Sequence, residues 1–548
     1  MKGFSVKING EEGFLNNDKN LLSSLLEKGY DIPHLCYHKD IEKPGGCNLC
    51  LIEVNGEVCR ACDRRAEEGM DIITESEELH NKIKKNLEEV LKKHQLKCND
   101  CIFFQKCTLL ELAKRFQVRP GADNDFPVLK TGSTIIDQSK CIGCGNCASV
   151  CPVNCLQIKE ERVDLSREED VDCVNCGQCI THCPVGCMKG EGEFGNIEEI
   201  KRLFKEKTVV VQFAPSIRTS IGEEFGMEAG AISTGKLVSA LRESGFRYVF
   251  DTAAGADFTT IEEAEELLGR LAKKERLPAM SSCCPAWVKL VEFNYPQFID
   301  NLCTSRPPQI ILGTVIKEYW SSIEGVNPED IFVVSVMPCI AKKEEIKKEE
   351  LKVNGRYPVD MVITTREAAR IFKNNKIDFK NIEDSTADAP LGNPSGAGVI
   401  YGSSGGVFES ALRTALKGEE INVEEIRGQE GEKKKEIRFG DKVLRVRVVS
   451  GIKNAIKALE ETDTFDALEV MACPGGCVGG GGQPVPADKD VIAKRSAGLY
   501  TIDENKEIKC AHENKDVLRA YEEFFNKNKE MLHTSYKKRN KTEIEDDQ

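Results

Sequence analysis

No stretch of this chain approaches the ~20 consecutive apolar residues that a membrane helix needs, so the sequence predicts no span. The N-terminal segment MKGFSVKINGEEG lacks the apolar core of a secretory signal, which argues against export. A basic balance is missing too: the formal net charge is −14, which speaks against nucleic acid as a partner. Nor does a glycine-rich dinucleotide fingerprint follow a strand in a βαβ setting, so any pyridine-nucleotide chemistry belongs to another subunit. What is plentiful is cysteine, with 25 in 548 residues. Disulfide-rich secreted proteins are short and carry signal peptides. A long chain without that signal points instead to a reducing cytoplasm and to thiols bound by metal. Hydrophobic residues make up 40% of the chain, which excludes wholesale disorder, and its length predicts several domains.

The most informative stretch is EVMACPGGCVGGGGQP, from Glu469 to Pro484. Cys473 and Cys477 are separated by three residues, so one turn can aim both thiols at a point. The glycines around them let backbone approach a bulky inorganic object closely. Thiolates on such a wall suit iron and sulfide. Read alone, a buried pair of free cysteines in a tight turn fits equally well.

Taken in order, residues 1–78 alternate short strands (FSVKING, EEGFL, LIEVNG, DIIT) around a helix at LLSSLLEKG. Cys36, Cys47, Cys50 and Cys62, spaced C-x10-C-x2-C-x11-C, fit a loop wrapped around a [2Fe–2S] cluster; Cys59 is an alternative to Cys62. From Asn81 the period becomes helical, with Ile83, Leu87, Val90 and Leu91 on one stripe. That helix leads into His94, Cys98, Cys101 and Cys107, an array suited to a His/Cys3 [4Fe–4S] cluster, with zinc as the competitor. Residues 141–155 and 173–187 then repeat the pattern C-x2-C-x2-C-x3-C-P-x2-C. In this bacterial two-cluster pattern the fourth cysteine ligates the other cluster. Cys141, Cys144, Cys147 and Cys183 are thereby assigned to one [4Fe–4S] cluster, and Cys151, Cys173, Cys176 and Cys179 to the second. Cys155 and Cys187 remain as small buried residues. From Thr208 the chain reads as an α/β domain, in which VVVQFAP, YVFDT, IFVVSVMPC, VDMVIT and VLRVRVV alternate with helical stretches.

Three segments, SSCCPAW (281–287), MPCIAKKEE (337–345) and the glycine-rich stretch, resemble in that order the three signatures of [FeFe]-hydrogenases. The resemblance covers essentially the whole chain, including HENKDVLRAYEEF and LHTSYKKR near its end. It implies a multidomain α+β and α/β protein. Residues 1–78 would form a β-grasp [2Fe–2S] domain, 79–126 a small helical His/Cys3 domain, and 127–206 a bacterial-ferredoxin-like domain. A two-lobed α/β catalytic domain would occupy 207–536, with a frayed charged tail at 537–548. The implied reaction is the reversible reduction of protons to H2, with electrons exchanged with ferredoxin or an NAD(P)-linked subunit.

Under the resemblance, Cys284, Cys339, Cys473 and Cys477 hold a [4Fe–4S] cube. That cube bridges to a di-iron unit bearing CO, cyanide and azadithiolate, which dedicated maturation proteins must supply. Lys342 and Ser216 would hydrogen-bond the cyanides, and Pro215, Gln309, Met337 and Met471 would wall the pocket. Cys283 would hold a proton at the metal. Glu263, Glu266, Arg270 and Glu345 would carry or support the relay to the surface. Cys303 stands where the family's relay normally has serine, and a thiol hydrogen-bonds more weakly than a hydroxyl. Ser281, Ile340 and Tyr401 are further departures. A hydrogen sensor would share the metal site but tends to lack the Cys283 equivalent. An electron-wire subunit like that of complex I would leave residues 281–484 unexplained.

Overall fold

The computed structural model describes all residues except 1–2, 42–44, 120, 122–125, 167–171, 418–425, 429, 440–441 and 541–548. Most of the tail expected at 537–548 thus lies outside the described residues. Its described beginning is anchored rather than frayed: Arg539 pairs with Glu292 at 3.3 Å and with Glu350. Glu292 is fully buried and needs cations, so it holds both Arg539 and Lys348. No helix among the described residues is long and apolar enough to cross a membrane.

The chain forms two compact units. The first comprises residues 1–131, 135–171 and 178–189; the second comprises 132–134, 172–177 and 190–548.

In the first unit a mixed sheet runs in the order Glu11–Asn16, Gly3–Ile8, Asp71–Ile73, Leu51–Val54, Glu57–Arg60. Alternation of side chains sends Val6, Ile8, Ile52 and Val54 inward to meet Leu21, Leu22 and Leu25 of the helix Leu21–Glu27. The helix Glu77–Lys93 begins four residues before the apolar stripe suggests. Ser76 caps it by accepting the Leu79 amide, and Glu77 and Glu78 suit the positive end of its dipole. It then buries Ile83, Leu87, Val90 and Leu91.

The second unit holds two four-stranded sheets. One is wholly parallel, in the order Tyr248–Asp251, Thr208–Phe213, Ile331–Met337, Met361–Thr364. Its central strands are buried on both faces, which is why they read as unbroken apolar runs. The other sheet runs Ala279–Met280, Ala467–Met471, Lys442–Ser450, Glu432–Phe439, with only the last pair antiparallel. The helix Asn196–Leu203 buries Ile197, Ile200 and Leu203 in the core of the first of these sheets. Residues 190–206, expected in the ferredoxin-like segment, therefore belong to the larger unit, because that apolar stripe finds its partner there.

The helix Thr252–Lys273 is approached closely by Pro308–Thr314 and by Gly396–Ile400. A Cβ on Gly255 would sit 2.3 Å from the Pro308 carbonyl oxygen, and one on Gly398 2.3 Å from that of Ala253. Only glycine permits these crossings, which hold the helix that begins Pro308–Gln309 against the one that carries Glu263.

Candidate active site and metal centres

Four turns leave the C-terminal ends of strands in the second unit: APSIR after Phe213, SSCC after Met280, PCIAK after Met337 and ACPGGC after Met471. Such ends are where parallel sheets carry chemistry. The turns line one cavity of about 80 Å³. Its wall includes Pro215, Ser216, Gln309, Met337 and Met471, and Cys283, Cys284, Cys339, Cys473, Cys477 and Lys342 all reach it. Cys176 and Tyr401 line it too; the Tyr401 hydroxyl lies 2.9 Å from Thr260 Oγ1.

The convergence has local causes. The Ser281 amide donates to the Leu468 carbonyl at 2.9 Å, and Ser281 Oγ accepts the Val470 amide at 3.1 Å. These bonds join the first cysteine segment to the strand that leads to Cys473. Trp287 Nε1 closes the same segment on the Ser281 carbonyl at 3.1 Å. The glycine run packs on the residue before Cys339: a Cβ on Gly480 would fall 2.2 Å from the Pro338 oxygen, and the Gly482 amide donates to that oxygen at 2.8 Å. Gln483 accepts from Ser220 Oγ (2.7 Å) and Thr365 Oγ1 (2.9 Å) while donating to Ser216 Oγ (3.2 Å). Glu469, fully buried, accepts the Gly405 and Phe408 amides at 2.6 and 2.8 Å. Gln483 and Glu469 both lie inside the third motif, but nothing in its spacing gives either a role.

These residues fit an iron–sulfur group. Burial pushes the thiols of Cys339 and Cys477 up to about 12, and those of Cys284 and Cys473 also upward. Among the described residues Lys342 is the cation whose charge favours deprotonation of Cys284, Cys339 and Cys477, and a bound metal would supply the further positive charge that four buried thiols need. Backbone amides are also aimed at sulfur, as ligating sulfurs require: Ala472 donates to Cys284 Sγ at 3.4 Å.

Lys342 Nζ donates to the Cys283 carbonyl at 3.0 Å and to Glu345 at 2.8 Å. Burial acts to lower its ammonium, but the Glu345 carboxylate outweighs that and leaves it raised. Glu345 also accepts from Gln309 Nε2 at 2.6 Å, so its bonds are to pocket-wall residues rather than to Glu263 or Glu266.

Glu263, Glu266 and Arg270 share the helix Thr252–Lys273. Ser305 Oγ donates to Glu263 Oε1 at 3.3 Å. Glu266 Oε2 accepts the Thr304 amide (2.8 Å) and hydroxyl (3.1 Å), and its Oε1 accepts from Arg270 at 2.5 Å. Burial, then the charge of Glu266, pushes the Glu263 carboxyl up to about 8, so it is mostly protonated at neutral pH. The Cys283 thiol is raised by burial and then by Glu263; the Cys303 thiol is raised by burial, then by Glu263 and Glu266. The two hydroxyls touching the carboxylates, Thr304 and Ser305, follow Cys303 directly and were not singled out from sequence.

In the first unit, Cys36 and Cys47 lie Sγ to Sγ at 3.2 Å, as do Cys50 and Cys62. Cys59 is half-buried on the strand Glu57–Arg60. His94, Cys98, Cys101 and Cys107 line one pocket of about 170 Å³. His94 Nδ1 lies 2.8 Å from the Lys140 carbonyl, leaving Nε2 to face the pocket, and burial lowers its pKa toward the neutral, ligand-competent ring. Cys141, Cys144, Cys147 and Cys183 line a second, tighter cavity. Cys187 lines it as well, and its amide donates to Cys183 Sγ at 3.3 Å. Of the remaining four predicted ligands, Cys151 and Cys179 fall in the first unit and Cys173 and Cys176 in the second. Cys151 accepts the Cys155 amide at 3.3 Å, and Cys173 the Asn175 amide at 3.4 Å.

Thiols grouped on a buried cavity of the second unit and, separately, within the first, with backbone amides donating to several of them, mark an iron–sulfur protein. Residues 207–481 match the family described as iron-only hydrogenase large subunit, C-terminal domain, and 489–539 match the iron hydrogenase small subunit. Residues 2–77 match a 2Fe-2S binding domain and 140–187 a 4Fe-4S dicluster domain. The chain is 37% identical to iron hydrogenase 1 of Clostridium pasteurianum, over 97% of this chain and 100% of that protein. It is likewise 37% identical to the NADP-reducing hydrogenase subunit HndD of Solidesulfovibrio fructosivorans, over 98% of this chain and 100% of that one. A structure of an [FeFe]-hydrogenase HydA1 variant from Chlamydomonas reinhardtii aligns with a TM-score of 0.55 and 33% identity, covering 62% of this chain and 98% of its own. The chain belongs to the iron-only, or [FeFe], hydrogenase family.

Proposed function

We propose that this chain catalyses 2H⁺ + 2e⁻ ⇌ H2 at the cavity of the second unit, fed by a chain of iron–sulfur clusters. The observation that carries this is the meeting of Cys284, Cys339, Cys473 and Cys477, from three separate motifs, on one cavity beside Cys283 and Lys342. Those four cysteines would hold the [4Fe–4S] cube and, through it, the di-iron unit. When bound, that group supplies the redox chemistry and the metal at which protons are reduced. Lys342 and Ser216 would hydrogen-bond and orient that group, while Pro215, Gln309, Met337 and Met471 would keep water away. Cys283 Sγ holds the proton nearest the metal, and Glu263, Cys303 and Glu266 pass it outward, with Arg270 fixing Glu266. Glu345 acts by positioning Lys342.

Electrons enter through one [2Fe–2S] cluster (Cys36, Cys47, Cys50, Cys62) and three accessory [4Fe–4S] clusters. One of these uses His94, Cys98, Cys101 and Cys107. The others use Cys141, Cys144, Cys147 and Cys183, and Cys151, Cys173, Cys176 and Cys179. Cys473 Sγ lies 3.5 Å from the Cys176 carbonyl oxygen, which supports handing electrons to the cube from the cluster that Cys176 serves. The likeness to HndD, a subunit of an NADP-reducing hydrogenase, supports an NAD(P)-linked partner subunit; ferredoxin is the alternative donor. The thiol content supports a cytoplasmic setting, and the di-iron unit requires maturation proteins. The test is anaerobic gas exchange with a reduced viologen after maturation. H2 evolution together with infrared bands of bound CO and cyanide is expected; bands without turnover would overturn the reaction.

A further inference from the structure

We propose that His533 is the group through which the proton relay exchanges with bulk water, acting through the Thr304 hydroxyl on Glu266. This rests on the hydrogenase reading above and concerns where the relay ends.

Backbone pairing fixes the ring. Ser305 and His533 form an antiparallel bridge, the Arg306 amide donates to the Leu532 carbonyl at 2.8 Å, and the Thr534 amide donates to the Thr304 carbonyl at 2.8 Å. This register sets His533 Nδ1 2.9 Å from Thr304 Oγ1, which itself lies 3.1 Å from Glu266 Oε2. On its other side, His533 Nε2 is 3.0 Å from Glu262 Oε2.

The remaining charged and titratable groups here are accounted for. Glu262 accepts from Tyr521 at 2.6 Å and from Lys529 at 3.2 Å, and Lys529 also pairs with Glu265 at 2.6 Å. Burial would raise Glu262, but His533, Tyr521 and Lys529 outweigh it and hold the carboxylate ionised. An anionic Glu262 accepts from Nε2–H, so Nδ1 is the ring nitrogen that faces Thr304 Oγ1. Arg270 cannot take this part, because a guanidinium does not release its proton. Lys529 is held protonated by two carboxylates. Access points the same way: the His533 side chain is 29% exposed, against 14% for Glu266, 7% for Arg270 and 1% for Glu262.

In the inward step the proton on Nδ1 of the imidazolium passes to Thr304 Oγ1 as the Thr304 hydroxyl proton passes to Glu266 Oε2. The ring is left neutral with Nε2–H on Glu262, the threonine hydroxyl is restored, and Glu266 becomes the acid. The outward step is the reverse. One proton moves and no electrons do.

The experiment uses the matured, full-length enzyme with His533→Ala and Thr304→Val; valine keeps the backbone amide that Glu266 accepts. Turnover with a reduced viologen is followed against pH in H2O and D2O, with and without added imidazole. Infrared and EPR spectra establish that the clusters are filled. Expected are losses of about tenfold or more in both variants, a larger solvent isotope effect, and recovery of His533→Ala alone by imidazole. A merely structural role would not produce imidazole recovery. Failure of imidazole to restore His533→Ala, or a wild-type pH profile in Thr304→Val, would overturn the proposal. Loss of turnover in the matured wild type would instead remove the hydrogenase reading on which it rests.

Discussion

Replacing Glu263 by glutamine tests the carboxyl chain at its most buried point. Glu263 is 4% exposed, and burial together with the Glu266 charge lifts it from an ordinary 4.5 to about 8. The folded protein therefore holds a proton there that the unfolded chain has already released between those two values. Stability from this group is fully present below about pH 4.5 and is lost as pH rises toward 8. At about 1.4 kcal/mol per pH unit, the loss amounts to at most about 5 kcal/mol. Glutamine has the same shape, still accepts from Ser305 and does not titrate. Glu263→Gln should thus match the wild type near pH 5 and exceed it by up to about 5 kcal/mol near pH 9, as measured by urea denaturation under anaerobic conditions. The same substitution should lower turnover by about 10²-fold or more at every pH, because the amide does not pass a proton. Parallel stability curves across that range, or undiminished turnover, would refute the reasoning.

Other perturbations probe separate joints of the site. Cys303→Ser replaces a weak donor by a hydroxyl near Glu263 and Glu266, whose charges raise the Cys303 thiol, and should raise proton-limited turnover while shrinking the solvent isotope effect; slower turnover would count against it. Gly480→Ala places a methyl 2.2 Å from the Pro338 oxygen and should prevent assembly of the active-site cube while the accessory-cluster EPR signals persist. Lys342→Met leaves Glu345 buried without its cation and should cost about 3–5 kcal/mol of stability. Adding Glu345→Gln should recover most of that loss, and an additive double variant would show that the pair is not coupled.

Sequence spacing grouped the His94 array and most of the cysteines that the structure brings onto shared cavities, because short spacings act over a few residues. The parallel core strands were legible as well, since burial on both faces leaves continuous apolar runs such as VVVQF and IFVVSVM. The strand Glu432–Phe439 was not, because EKKKEIRF is an edge strand whose lysines oppose further pairing and hide its pattern. The helix Thr252–Lys273 starts nine residues before its charged stretch at Ile261, because its first half is buried and small rather than amphipathic. Thr304, His533 and Gln483 act through partners far away in sequence, and no local spacing reports a contact such as Thr304 with His533. The assignment of residues 190–206 failed for the same reason: Ile197, Ile200 and Leu203 show a stripe but not the core that receives it.

The central claim is that thiols from three motifs grip one iron–sulfur cube. Its most direct test is Cys473→Ala, co-produced with the maturation proteins and examined by EPR, infrared spectroscopy and H2 evolution. The account predicts that the active-site cube and turnover are lost while the [2Fe–2S] and accessory [4Fe–4S] signals remain. An alanine variant with intact CO and cyanide bands and wild-type H2 evolution would contradict it.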